Sequence, residues 1–348
     1  MIHMKQLFVY TSPHSCVRFA SKEALNAMKK TEVSGTSKAV EGIAELSNPG
    51  AVGGTRSAVK ILLDFQSNIP GDFDDHVTSI LCTQILKTFP SNPAVILPTA
   101  RLCIAAHKRG LVSDLRPIKS MLDTLIPELH SIPNIYMSRA VRAASALEFG
   151  ELIETLVTEA SRPVRVSSYS AMDLSELIHS VHSMRMKCMG SEQRDTTMKF
   201  LTNLLDELSS RRHSLKITNE ISSVAHVRSA KAQELSFIAV SNILYTLRDV
   251  DASGCRSVLR DLLISRESTD DDAFRGATRF HLVSVCDSLL VNGKSSDDEA
   301  DWKVFKRILK ELDRKSKIAN EHNEYIDGCI QRLVARYGRK KRLLGFIS

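Results

Sequence analysis

Residues 172–189 read MDLSELIHSVHSMRMKCM, and residues 196–212 read TTMKFLTNLLDELSSRR. In the first, Leu174, Leu177, Ile178 and Val181 fall at steps of three and four; in the second, Leu201, Leu204, Leu205 and Leu208 do the same. A 3.6-residue turn gathers each set on one side of a helix, so each segment carries one apolar stripe and one polar side. Neither stripe is stable in water, and helices of this kind must cover one another.

The same spacing extends in both directions. Downstream, ELSFIAVSNILYTLRDV (234–250) places Val240, Ile243, Leu244 and Leu247 in line; CRSVLRDLLISRE (255–267) follows, then RFHLVSVCDSLLV (279–291) with Leu282, Val285, Cys286 and Leu289. Upstream, YMSRAVRAASALEFGELIETLVTEA (136–160) reads as one helical stretch anchored by Ala140, Ala143, Ala144 and Leu147, closed by the loop SRPVRVSSYS (161–170). Before it stand SAVKILLDFQ (57–66), HVTSILCTQILKTF (76–89), LPTARLCIAAHKRGL (97–111) and DLRPIKSMLDTLIPEL (114–129). Pro90 and Pro93 end the second of these, Pro117 fits a first turn and Pro127 closes the fourth. A last helix, from about Ser296, has Asp297, Asp298 and Glu299 in its first turn, Arg314, Lys315 and Lys317 in its last, and a stripe of Trp302, Phe305, Leu309 and Leu312. Its charges match the macrodipole at both ends.

The stripe anchors Ala140, Leu174, Leu201, Val240 and Leu282 are separated by 34, 27, 39 and 42 residues. Helix pairs of this size are the units of helical solenoids. The sequence therefore predicts an all-α fold, an irregular α–α superhelix (helical-repeat solenoid) of antiparallel helix pairs over residues 56–330, with an irregular bundle as the alternative. Residues 23–55, rich in Ser, Gly, Thr, Ala and Lys and ending in SNPGAVGGTR, read as a flexible segment leading into that body.

The N-terminal 22 residues, MIHMKQLFVYTSPHSCVRFASK, hold Lys5, Arg18 and Lys22 and no acid before Glu23. A basic, acid-poor start with scattered Ser and Thr is the composition of a mitochondrial presequence, with Arg18 just ahead of a cut near Ala20; LFVY is too short an apolar run for a secretory signal. The expectation is targeting by residues 1–22 and a place in the mitochondrial matrix. No run of about 18 apolar residues suits a membrane-spanning helix, so no membrane partner is expected.

The 348 residues carry a formal net charge of +7; residues 1–22 supply +3 and residues 328–348 supply +6, which leaves the body near −2. The dense basic segment is thus the tail, 331–348, with Arg332, Arg336, Arg339, Lys340, Lys341 and Arg342. Smaller pairs recur in the body: Arg139 with Arg142, Arg162 with Arg165, Arg185 with Lys187, and Arg211 with Arg212. Those cations are where a polyanion would bind.

Catalytic and metal-binding patterns are weaker than their structural readings. The seven cysteines, Cys16, Cys82, Cys103, Cys188, Cys255, Cys286 and Cys329, form no CxxC pair and read as buried free thiols. PGAVGGTR lacks the Lys-Ser/Thr end of a phosphate loop. Glu176, His179 and His182 make one ExxH with a second His a turn away, but a carboxylate-bridged metal site needs a second such motif. Asp72, Asp74 and Asp75 in GDFDDH read as first-turn acids of the next helix. No catalytic residue, metal ligand or cofactor is assigned, and the expectation is a protein that is not an enzyme.

SAMDLSELIHSVHSMRMK, followed by FLTNLLDELSSRR and ELSFIAVSNILYTLRDV, resembles the degenerate helical repeats of organellar RNA-processing proteins. With the basic N-terminus, the chain is similar in style, over about residues 95–290, to the mitochondrial RNA-binding and RNA-editing accessory proteins of trypanosomatids. It carries no RAP-like terminal domain and no pentatricopeptide signature, so the resemblance implies a structural role in an assembly rather than direct base reading. The implied function is a non-catalytic RNA-binding scaffold or adaptor in a guide-RNA or messenger-RNA editing assembly. Its partners would be mitochondrial RNA and other protein subunits, reached through Arg332, Arg336, Arg339, Lys340, Lys341, Arg342 and the pairs Arg139/Arg142, Arg162/Arg165 and Arg211/Arg212. The alternative is a mitochondrial ribosome subunit or assembly factor that binds only protein.

Overall fold

The computed structural model describes residues 54–69, 71–187, 191–218, 233–265, 274, 277–292 and single positions between 307 and 331. These residues are mostly helical, with one pair of three-residue strands. The chain divides after Glu159 into two compact units.

In the first unit, α1 (Gly54–Ser67), α2 (Asp75–Thr88), α3 (Pro93–Lys108), α4 (Arg116–Asp123), α5 (Asn134–Leu147) and α6 (Gly150–Ala160, ending at the boundary) follow one another through short turns. Asp74 caps α2, accepting from the Val77 N–H at 2.9 Å, and Asn92 caps α3, accepting from the Ala94 N–H at 3.0 Å. The centre of the unit is α3, which packs against α1, α2, α4 and α5. Its residues Val95, Ile96, Leu97, Thr99, Ala100, Leu102, Cys103, Ile104 and Ala106 are buried, an apolar surface nearly all round, as a helix enclosed by others requires.

Four local expectations are corrected here. The helix expected from Leu97 begins a turn earlier at Pro93 and continues through Pro98, and α1 begins at Gly54, inside the stretch read as flexible. The 114–129 stretch stops being α-helical at Asp123 and passes into a 3-10 turn, Ile126–Glu128, where Pro127 has no N–H to donate to the carbonyl four residues back. The stretch read as one helix over 136–160 is two. Glu148 adopts the left-handed conformation, φ 59°, ψ 33°, and donates its N–H to the Ala144 carbonyl, which closes α5.

In the second unit, α7 (Pro163–Ser168) lies within the sequence expected to be a loop; Pro163, with no N–H to lose, starts it. Then come α8 (Ala171–Lys187), α9 (Ser191–Ser210), β1 (Lys216–Thr218), β2 (Glu234–Ser236), α10 (Phe237–Thr246), α11 (Ser253–Ser265) and α12 (Arg279–Asn292). Ser170 and Asp173 form a reciprocal cap on α8: the Ser170 hydroxyl donates to Asp173 Oδ2 at 2.6 Å, and the Asp173 N–H donates to Ser170 Oγ at 3.1 Å. α8 packs on α9 and α10, α10 on α12, and α9 on α11. Leu174, Leu177, Ile178 and Val181 meet the stripes of their neighbours, all fully buried, as are Leu201, Leu204, Leu205, Leu208, Val240, Ile243 and Leu244.

The opening of 234–250, expected to be helical, is instead a strand. β2 pairs in parallel with β1, Ile217 opposite Leu235, and Ser236 then caps α10 by accepting from the Ala239 N–H at 3.1 Å. Of the helix expected from Ser296, residues 307, 308, 310–312, 314 and 315 are helical and Ile308 and Leu312 are buried; Trp302, Phe305, Leu309 and the acids at 297–299 lie outside the described residues. So do residues 1–53 and 332–348, with the targeting segment and the basic tail.

Candidate nucleic-acid interface

The basic pairs separate once their surroundings are known. On α5, positions 139 and 142 are flanked by the buried Ser138, Ala140, Val141 and Ala143, so the arginines stand beside the core stripe rather than in it. Arg142 is exposed, while Arg139 is half-buried with its guanidinium 5.9 Å above the Tyr136 ring, one turn earlier.

In the second unit, Arg211 at the end of α9 works inside the protein. Its side chain is only 9% exposed and its guanidinium donates five times: from Nε and Nη2 to Glu207 Oε1 at 2.8 and 2.6 Å, from Nη1 to the Tyr169 carbonyl at 2.6 Å and to Gln233 Oε1 at 3.4 Å, and from Nη2 to the Ser167 carbonyl at 3.0 Å. Ser167 and Tyr169 are at the C-terminal end of α7, where carbonyls lack intrahelical donors and the dipole is negative. Arg211 therefore fastens α7 to α9.

That fastening brings two of the sequence pairs into one neighbourhood. α7 has six residues, about 9 Å of helix, so Arg162 at its N-cap and Arg165 within it lie close to the end of α9. Arg162 and Arg212 are exposed and Arg165 half-buried; Arg212 reaches Asp261 of α11 at 2.5 Å. Val164, between the two α7 arginines, is 81% exposed. His213 and Lys216, which follow α9 in the chain, are exposed as well, and Lys216 sits opposite Glu234 in the strand pair. The basic pairs read from the sequence did not include them; their signal was the run RRHSLK, three cations and a histidine in six residues. Arg332, Arg336, Arg339, Lys340, Lys341 and Arg342 lie outside the described residues.

The other candidate groups are placed as follows. His182 is buried, with Nε2 3.2 Å from Asp249 Oδ2 and the Tyr245 ring edge-on at 6.4 Å between centroids; His179 is half-buried one turn earlier. Asp75 accepts from the Ser113 N–H at 2.7 Å, the Asp114 N–H at 2.8 Å and the Ser113 hydroxyl, which ties the start of α2 to the turn before α4. These bonds, the Ser113 hydroxyl first, hold its carboxyl below the usual carboxylate range. Asp114 is lowered to about 2 by Arg116, whose Nε and Nη2 grip it at 2.9 and 2.8 Å. Among the described residues no three His, Cys, Asp or Glu side chains gather as metal ligands, and no helix is long and apolar enough to cross a membrane. Cys82, Cys103, Cys255 and Cys286 are free and buried.

No protein-family model matches the chain, and no curated protein matches it in sequence.

Proposed function

We propose that the protein is a non-catalytic RNA-binding scaffold of the mitochondrial matrix, a subunit of an RNA-processing assembly, whose helices continue as antiparallel pairs in an irregular solenoid. The observation that carries this reading is the Arg211 clamp. It uses one arginine of its pair to hold α7 at the end of α9, and the neighbouring Arg162, Arg165 and Arg212 are then the cations for which a phosphate backbone is the natural counterpart. Short turns between successive amphipathic helices favour antiparallel pairing, and the mainly helical fold agrees with the resemblance to organellar repeat proteins. Arg139 and Arg142 on α5 and the tail cations 332–342 supply further phosphate contacts in this proposal.

The test is binding of the full chain to a labelled single-stranded RNA at two salt concentrations. A site touching three phosphates loses roughly 20-fold in affinity between 50 and 200 mM salt. Reversing both Arg162 and Arg212 to Glu lowers affinity further and flattens the salt dependence. Wild-type protein with no salt-sensitive RNA binding refutes the RNA role and leaves the protein-only adaptor, such as a mitochondrial ribosome subunit or assembly factor, which co-purification in the presence of nuclease would then identify.

A further inference from the structure

The turn that follows α9 reads Arg211-Arg212-His213-Ser214-Leu215 and contains the chain's one Arg-Arg pair. Three exposed residues, Arg212, His213 and Ser214, stand between Arg211, whose side chain is in the clamp, and the buried Leu215. The turn closes on a single acceptor: the Arg211 carbonyl takes the Ser214 N–H at 2.9 Å, the Leu215 N–H at 3.1 Å and the Ser214 hydroxyl at 3.0 Å. Lifting that one carbonyl frees the segment, so its opening is local and leaves the buried stripe of α9 in place. The neighbouring serines differ. Ser168, three residues after Arg165, is inside α7 and gives its hydroxyl to the Val164 and Arg165 carbonyls, while Ser209 and Ser210 follow the acids Asp206 and Glu207.

We propose that Ser214 is a phosphorylation site for an ATP-dependent, arginine-directed protein kinase, with the Arg211 clamp as its gate. Kinases of this class hold the substrate segment extended and set carboxylates against the guanidinium groups that precede the hydroxyl, which is the charge pattern of Arg211 and Arg212 before Ser214. Ser214 Oγ attacks the γ-phosphorus of ATP, the bond from that phosphorus to the bridging β-phosphate oxygen breaks, ADP leaves, and the hydroxyl proton passes to a carboxylate of the kinase. In the closed turn only Arg212 is offered, because Arg211 is held by Glu207 and by the Ser167 and Tyr169 carbonyls; release of the clamp supplies the second guanidinium. The product removes the hydroxyl that donates to the Arg211 carbonyl and sets about 1.5 to 2 negative charges two residues from Arg212. There they compete for its guanidinium with Asp261 of α11, so phosphorylation loosens the tie between the end of α9 and α11. This inference is independent of any RNA role.

The test incubates the full chain with ATP and the catalytic subunit of cyclic-AMP-dependent protein kinase, an arginine-directed enzyme, follows the rate of phosphate incorporation and locates the phosphate by mass spectrometry of a digest. The expected product carries one HPO3 group on Ser214, which is absent from Ser214→Ala. Arg212→Ala, which removes one guanidinium contact with the kinase, slows incorporation about tenfold or more. Glu207→Gln, which keeps the side-chain volume but weakens the hold on Arg211, speeds it several-fold. The site is overturned if Ser214 stays unmodified, whether or not other serines take the phosphate, or if Arg212→Ala is modified at the wild-type rate. Equal rates for Glu207→Gln and wild type overturn the gate.

Discussion

The guanidinium of Arg211 lies against the carboxylate of Glu207, one turn earlier on α9, with Nη2–Oε1 at 2.6 Å and Nε–Oε1 at 2.8 Å. The neighbouring Arg212 makes one ion pair, with both side chains more than a third exposed. Adjacent residues of the same type thus have opposite energetics. Arg211→Ala leaves a half-buried carboxylate and two helix-end carbonyls without their donor, and should cost about 2–3 kcal/mol. Arg212→Ala should cost less than about 0.5 kcal/mol. Urea denaturation of the two variants, read as a change in midpoint at constant slope, checks the contrast, which fails if the two cost the same.

The Asp75 knot gives a second expectation, in pH. A carboxyl held below its unfolded value contributes stability that is complete above that value and is lost as pH falls through the lower, folded one. Asp75 is lowered from 3.8, with the Ser113 hydroxyl as first cause, and Asp114 is lowered to about 2. Asp75→Asn, which turns an amide NH2 toward backbone donors, should be less stable than wild type near neutrality. The gap should narrow as pH falls below Asp75's ordinary value of 3.8. Urea midpoints over that range test it; a gap that stays constant means the carboxylate charge is not what ties α2 to the turn before α4.

What the sequence conveyed and what it withheld have physical causes. Leu174, Leu177, Ile178 and Val181 announce their helix because burying one face forces the 3.6-residue spacing, and all four are fully buried. The break at Glu148 leaves no such mark. Leu152, Ile153, Leu156 and Val157 resume a helical stripe after it, and the residue in the left-handed conformation is not a glycine. The strands 216–218 and 234–236 are three residues each, too short for alternation to register, and they pair across an intervening stretch of chain. For Arg211 and Arg212 the letters are identical, so only the reach of one to Ser167 and Tyr169 tells structural arginine from surface arginine.

That hidden break can itself be weighed. A left-handed backbone costs a non-glycine residue about 1–2 kcal/mol, while glycine gives back part of this through the freedom it has when unfolded. Glu148→Gly should therefore stabilise the first unit by about 0.5 kcal/mol, and the β-branched Glu148→Val should destabilise it by about 1 kcal/mol or more. Thermal or urea melts of both variants decide: equal effects would mean that the φ of 59° is not what ends α5.

His281 offers the sharpest pH signature in the second unit. Its Nδ1 accepts from the Thr278 N–H at 3.0 Å and lies 2.9 Å from the Thr278 hydroxyl, capping α12, so the ring must be neutral with its proton on Nε2. Burial first, then the charge of Lys315, lowers its pKa to about 4 from an ordinary 6.5. Between those values the unfolded chain holds the proton and the folded chain does not, so the contribution is complete above pH 6.5, declines as pH falls, and is gone near pH 4. The span is worth at most about 3 kcal/mol. His281→Asn keeps an acceptor near Thr278 but cannot titrate, so the fall in stability between pH 6.5 and 4 should be smaller in the variant by up to that amount. NMR titration of the imidazole in the folded protein gives the direct check: a midpoint near 6.5 would mean that the ring is free to protonate and that the cap does not depend on its neutrality.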